Sequence, residues 1–139
     1  MNWQTLQQIV NQGESERVEL KRSTGQRTDA AKTVCAMLNG VGGFVLFGVH
    51  NSKEIMGQDL GTETQDEVLR ELQRIEPAAL PDCEIVVLDT GRSVIVLRMS
   101  GGGGPYTYDG RPYVRVGTMT CPMPRAQFER LLLERMHAS

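Results

Sequence analysis

Two glutamates and a lysine come nearest to forming a chemical unit. Glu14 precedes a stretch with strand character, residues 16–22 (ERVELKR), in which Val18 and Leu20 alternate with charged residues. Glu19 and Lys21 sit two apart in it, so on a strand they project from the same face. Two carboxylates beside an ammonium can hold a divalent cation, Mg2+ or Mn2+, with the lysine stabilising charge that develops on a phosphate. The same spacing also suits an ion pair on a solvated face, and spacing alone leaves both readings open.

The second group is aromatic and basic. Tyr106, Tyr108 and Tyr113 are all the tyrosines of the chain, and they fall within residues 104–117 (GPYTYDGRPYVRVG), interleaved with Arg111 and Arg115. Rings stack on bases and guanidinium groups grip phosphates, so such a hairpin is a candidate nucleic-acid surface. Tyrosines also form strands readily and pack as cross-strand pairs, which is the plainer alternative. The glycines at 101–104 form a joint on which this hairpin can protrude. Further candidates for phosphate contact are Arg17, Lys21, Arg22, Arg27 and Lys32.

A third segment, residues 39–49 (NGVGGFVLFGV), places Gly42-Gly43 before an apolar run. Paired glycines permit a left-handed turn and close approach of another backbone. The order helix, glycines, strand and the absence of GK[ST] exclude a P-loop, and a dinucleotide fingerprint needs the reverse order. No ATPase or helicase activity is expected of this chain alone.

Bulk properties set the frame for these groups. The 139 residues are 40% hydrophobic and 23% charged, which describes an ordinary globular chain forming one domain over residues 1–139. The net charge of −2 argues against a polyanion as partner until its distribution is considered. Residues 51–91 hold three basic against ten acidic side chains, whereas residues 92–139 hold seven arginines against three acids. Segregation of this kind can leave one positive face on an acidic protein. Arg125, Arg130 and Arg135 either join that face or coat a terminal helix. Cys35, Cys83 and Cys121 form no CxxC or Cys/His cluster, so structural zinc is not expected. The start lacks the basic and apolar regions of a secretory signal, no apolar run is long enough to span a bilayer, and a cytoplasmic location is expected.

The elements that position the groups follow from periodicity. Trp3, Leu6, Ile9 and Val10 recur at helical spacing and stop at Gly13. After the first strand, Thr28 is expected to cap a helix ending at Asn39-Gly40. Residues 44–49 read as a strand covered on both faces. A third helix starts at Thr62 or Thr64 and uses Val68, Leu69, Leu72 and Ile75, with Pro77 and Pro81 beyond it. Residues 83–88 and 93–99 form a hairpin, residues 106–116 a second one turning at Asp109-Gly110, and a last helix starts near Pro124. This order predicts an α+β fold, a mixed or antiparallel sheet with late hairpins flanked by about four helices.

Taken together the segments resemble the Schlafen/Alba-like DNA-binding domain, familiar at the N-terminus of bacterial transcriptional regulators and of RecG-like helicase-related proteins. The matching blocks are Glu14-Ser15, Glu19-Leu20-Lys21, Ala36, Asn39, Gly42-Gly43, Gly48-Val49, Ile55-Met56-Gly57 and Tyr113, Arg115, Gly117. The resemblance implies nucleic-acid binding, to DNA or RNA, through the basic strand and hairpin. In the Schlafen branch it also implies a divalent-metal-dependent endoribonuclease acting on structured RNA, with Glu14 and Glu19 as two of three carboxylates. Where that family has an aspartate, this sequence has His50-Asn51, which makes the candidate metal set Glu14, Glu19 and His50 and the candidate catalytic set Glu14, Glu19 and Lys21.

The leading expectation is a nucleic-acid-binding module that needs no cofactor for binding. The nuclease is the alternative. A third reading is a protein-interaction or homodimerisation module, using the acidic stretch at 54–89 or the consecutive Leu131, Leu132 and Leu133 of the last helix.

Overall fold

A computed structural model describes residues 1–137, so the last two positions of the domain expected over 1–139 lie outside the described residues. Helix α1 (Trp3–Gln12) is capped by Asn2, whose side chain accepts from the Thr5 backbone N–H at 2.8 Å. Gly13 ends it at a φ of 72°, and Leu6, Ile9 and Val10 form its buried face. Strand β1 (Val18–Lys21) runs parallel to β2 (Gly42–Phe47), with helix α2 (Arg27–Leu38) between them in the chain. Beyond β2 come α3 (Thr64–Leu72), β3 (Ile75–Glu76), β4 (Asp82–Val87), β5 (Ser93–Ser100), β6 (Thr107–Tyr108), β7 (Arg111–Val116), β8 (Met119–Pro122) and α4 (Arg125–His137).

The strands make two sheets, in the orders β1-β2-β5-β4 and β3-β6-β7-β8. Apart from the parallel β1–β2 pair, all pairings are antiparallel. Each face of the first sheet carries its own core. On one face α1 covers Val18, Leu20, Leu46, Val94 and Val96. On the other, α2 and α3 pack on Val45, Phe47, Ile95 and Leu97, and α2 is in turn covered by the second sheet. That double coverage is why β2 reads as an unbroken apolar run instead of an alternating one.

The fold class is the one expected, α+β with four helices and late hairpins, but several local expectations change. Helix α2 begins at Arg27, behind a short 3-10 turn (Thr24–Gln26) capped by Ser23. Thr28 is therefore no cap, and its hydroxyl donates instead to Glu71 Oε1 at 3.2 Å. Ile75 leaves the third helix and pairs with Tyr108 as part of β3. Strand β8, unforeseen, completes the second sheet.

Gly42 and Gly43 serve the backbone. A Cβ on Gly43 would stand 2.3 Å from the Arg17 carbonyl oxygen, and one on Gly42 would stand 2.4 Å from that of Met99. Both have positive φ, so the neighbouring chain fills the space that a ligand was free to take in the sequence reading. Nor does the tyrosine hairpin protrude on its glycine joint. Asn39, at the end of α2, accepts from the Tyr106 N–H and donates to the carbonyls of Tyr106 (3.0 Å) and Tyr113 (2.9 Å), which fastens the second sheet to the helix.

Candidate nucleic-acid interface

Strand β1 supplies the centre of the site. Glu19 and Lys21 line two adjoining cavities of about 320 and 390 Å³, so the strand forms a wall common to both. The first cavity adds Glu14, Arg22, Gln26, His50 and Asn51. The second adds Asp29, Lys32, Thr33, Tyr113, Arg115, Thr118 and Thr120. Glu14 reaches the first because Gly13 turns the chain at the end of α1.

Glu19 is nearly covered, and so is its partner. Arg115 Nη1 donates to Glu19 Oε2 at 2.8 Å, with the two side chains 4% and 9% exposed. The same guanidinium donates to Thr120 Oγ1 and, through Nη2, to the Ser15 carbonyl at 2.9 Å. Thr33 and Thr120 close the cluster, their hydroxyls 2.7 Å apart. A buried charge needs such company, because leaving water costs each ion several kcal/mol. Arg115 therefore ties β7 to β1 and is spoken for by the fold.

The Glu14 carboxyl is held within hydrogen-bonding reach of Glu19 and is pushed up to about 7. Burial is the largest cause, followed by the hydrogen bond and like charge of Glu19, with Arg115 and Lys21 pulling the other way. Near neutral pH the Glu14 carboxyl is therefore protonated in a substantial share of molecules.

Other sequence candidates fall in different places. Lys32 lies over the Tyr113 ring at 5.9 Å, a cation on an aromatic face beside the second cavity. Lys21, Arg22 and Lys32 have no ion-pair partner among the described residues. Arg17 and Arg111 are exposed but line neither cavity. Arg27 faces Glu67 at 3.6 Å in a separate depression shared with Arg70, Glu71 and Arg74. Tyr106 packs half-buried against the core.

Tyr108 is 3% exposed, and its hydroxyl donates to Glu71. Burial and that bond push its phenol up to about 12, and it presents no open face to a base. Of the ten candidates for nucleic-acid contact, the groove gathers Lys21, Arg22, Lys32 and Tyr113, with Arg115 as part of its floor. The threonines at 33, 118 and 120 were missed: Thr120 lies on the unread strand β8 and Thr118 in the turn before it, while Thr33 sits on α2 with nothing local to show that it faces the groove.

The metal expectation meets a different geometry. A hard divalent cation takes six or more oxygen ligands. Glu14 and Glu19 do meet, but one Glu19 oxygen is bound by Arg115. The His50 ring is engaged through Nδ1 with the hydroxyl and N–H of Ser52. Among the described residues no group of three His, Cys, Asp or Glu stands where it can hold a metal ion. The residues present do not fit a Mg2+ or Mn2+ centre as arranged. No helix among the described residues is long and apolar enough to cross a membrane.

Comparison with known proteins places this arrangement. The Schlafen, AlbA_2 family model matches residues 14–124, which span both cavities. No curated protein matches the chain. Among solved structures, the N-terminal domain of an ATP-dependent DNA helicase RecG-related protein from Nitrosomonas europaea is similar, with a TM-score of 0.59 and 21% identity over 90% of this chain and 93% of that one. The DIP2311 protein from Corynebacterium diphtheriae gives a TM-score of 0.61 at 19% identity over 86% of this chain. The chain spans only 24% of the length of that protein. At these identities the likeness is one of fold.

Proposed function

Because the chain belongs to the Schlafen AlbA_2 family, we propose that it binds nucleic acid along the double cavity beside β1, gripping phosphates with Lys21, Arg22 and Lys32. The observation that carries this reading is that three cations line the groove without ion-pair partners among the described residues, against one exposed carboxylate, Asp29, and two acids, Glu14 and Glu19, that lie together at its floor. Glu19 is paired with Arg115, and burial beside Glu19 raises the Glu14 carboxyl to about 7. Free ammonium and guanidinium groups on a concave wall attract a polyanion and release its counterions on contact. Tyr113, with Lys32 above its ring, offers the one half-exposed tyrosine face in the groove. The similar RecG-related protein carries the words ATP-dependent DNA helicase in its name, which fits a nucleic-acid context and adds weight to this reading.

Binding here proceeds without cleavage. The endoribonuclease implied by the Schlafen resemblance needs a metal centre, and the acids available do not assemble one. Two measurements test the proposal together. Lys21→Ala combined with Lys32→Ala should lose most binding to duplex DNA and tRNA at low salt, while Arg27→Ala, outside the groove, should bind as before. Incubation of tRNA with the protein and Mn2+ should leave the RNA intact. Equal losses in the two variants would defeat the groove assignment, and cleavage abolished by Glu19→Ala would replace binding with the nuclease.

A further inference from the structure

The first sheet ends in a strand with nothing beside it. β4 pairs only with β5, and among the described residues no backbone hydrogen bond reaches its outer side from another segment. Natural edge strands are commonly blunted by proline, lysine, a bulge or a covering loop. β4 reads DCEIVV, holds no proline or lysine, and keeps an uninterrupted six-residue register with β5. Two of its large apolar side chains stand in solvent, Ile85 at 38% and Val87 at 69% exposure. Next to the strand end Trp3, Ile55, Val87 and Leu88 line a cavity of about 360 Å³, and Trp3 is itself 46% exposed.

We propose that β4 is the contact through which two copies of this chain pair, antiparallel about a two-fold axis at Ile85, to join their first sheets into one. The occupant is selected by the strand's own sequence. Directly opposed residues of an antiparallel pair share a face, so a two-fold normal to the sheet opposes only residues an even number apart. With Ile85 on the axis it meets its own copy, Cys83 faces Val87, and Glu84 faces Val86. Apolar side chains meet, and no carboxylate opposes a carboxylate. Centring on Glu84 would oppose two glutamates, an arrangement that destabilises a strand pair, and centring on Val86 would pair only residues 85–87 of the strand where Ile85 pairs residues 83–87. A self-complementary patch of this kind is what an isologous interface requires. The proposal is independent of the groove, which lies around β1 at the opposite edge of the same sheet.

Sedimentation velocity across a range of concentrations reads the assembly directly. The protein should sediment at twice the chain mass. Val87→Lys, at an exposed position, should sediment as a monomer that still unfolds in one cooperative transition, with a melting temperature that no longer depends on protein concentration. Ile85→Cys, in a Cys83→Ser, Cys121→Ser background, should form a disulfide-linked dimer on mild oxidation, because opposed Cα atoms at ~4.5–5.5 Å lie within reach of a disulfide. A protein that stays monomeric at every concentration overturns the proposal. So does a dimer that survives Val87→Lys, or one in which position 85 does not cross-link.

Discussion

Arg111 and Arg115 lie four residues apart on β7 and have opposite fates. Arg111 opens the strand in solvent. Arg115 is buried against Glu19 with further bonds to Thr120 and two backbone carbonyls. A cation's part in this protein is set by what the fold places opposite it. At the floor of the groove Glu19 and Arg115 are paired with each other, whereas Lys21, Arg22 and Lys32 at its rim have no ion-pair partner among the described residues.

Breaking the floor should have the largest effect. Arg115→Ala leaves the Glu19 carboxylate buried without its partner, and loss of one member of such a pair costs about 3–5 kcal/mol. Urea unfolding should show it, while Arg111→Ala changes stability by less than about 0.5 kcal/mol. Comparable losses in the two variants would erase the distinction. Asn39→Ala comes next. It removes three hydrogen bonds that hold the second sheet to α2, worth about 1 kcal/mol each. Hydrogen exchange should quicken in β6 and β7 before it does in β2.

Substitutions on the rim should leave stability alone and act on binding. Each of Lys21→Ala and Lys32→Ala should lower the slope of log affinity against log salt by about 0.7–0.9, as expected for one lost phosphate contact. Glu14 gives the smallest effect. Its carboxyl is raised in the folded protein, so its contribution to stability is full below the unfolded value near 4.5 and disappears as the pH rises through about 7. The melting temperature of the wild type, relative to Glu14→Gln, should therefore fall between pH 5 and pH 8. A constant difference would mean that the fold does not raise the Glu14 carboxyl.

The sequence carried the elements whose signal is local. Alternation of Val18 and Leu20 placed β1, the apolar run at 44–49 placed β2, and Asp109-Gly110 placed the turn between β6 and β7, where both residues have positive φ. Strand β8 escaped because four residues ending in proline carry little period, and Ile75 continued the helical spacing of α3 although it belongs to a strand. The candidate site was legible as residue types but not as roles. Glu19 and Arg115 are 96 positions apart, and no local pattern reports that they meet in the interior. The same holds for Tyr108, which looked like a stacking ring and is a core residue tied to Glu71.

The measurement that bears most directly on the sorted charges is a salt titration of binding to duplex DNA, single strands and tRNA, run on the wild type and on the Lys21→Ala, Lys32→Ala double variant. Affinity for at least one of the three should fall steeply with salt in the wild type, and the slope should be shallower in the double variant. Binding that ignores salt, or identical slopes for the two proteins, would contradict the account.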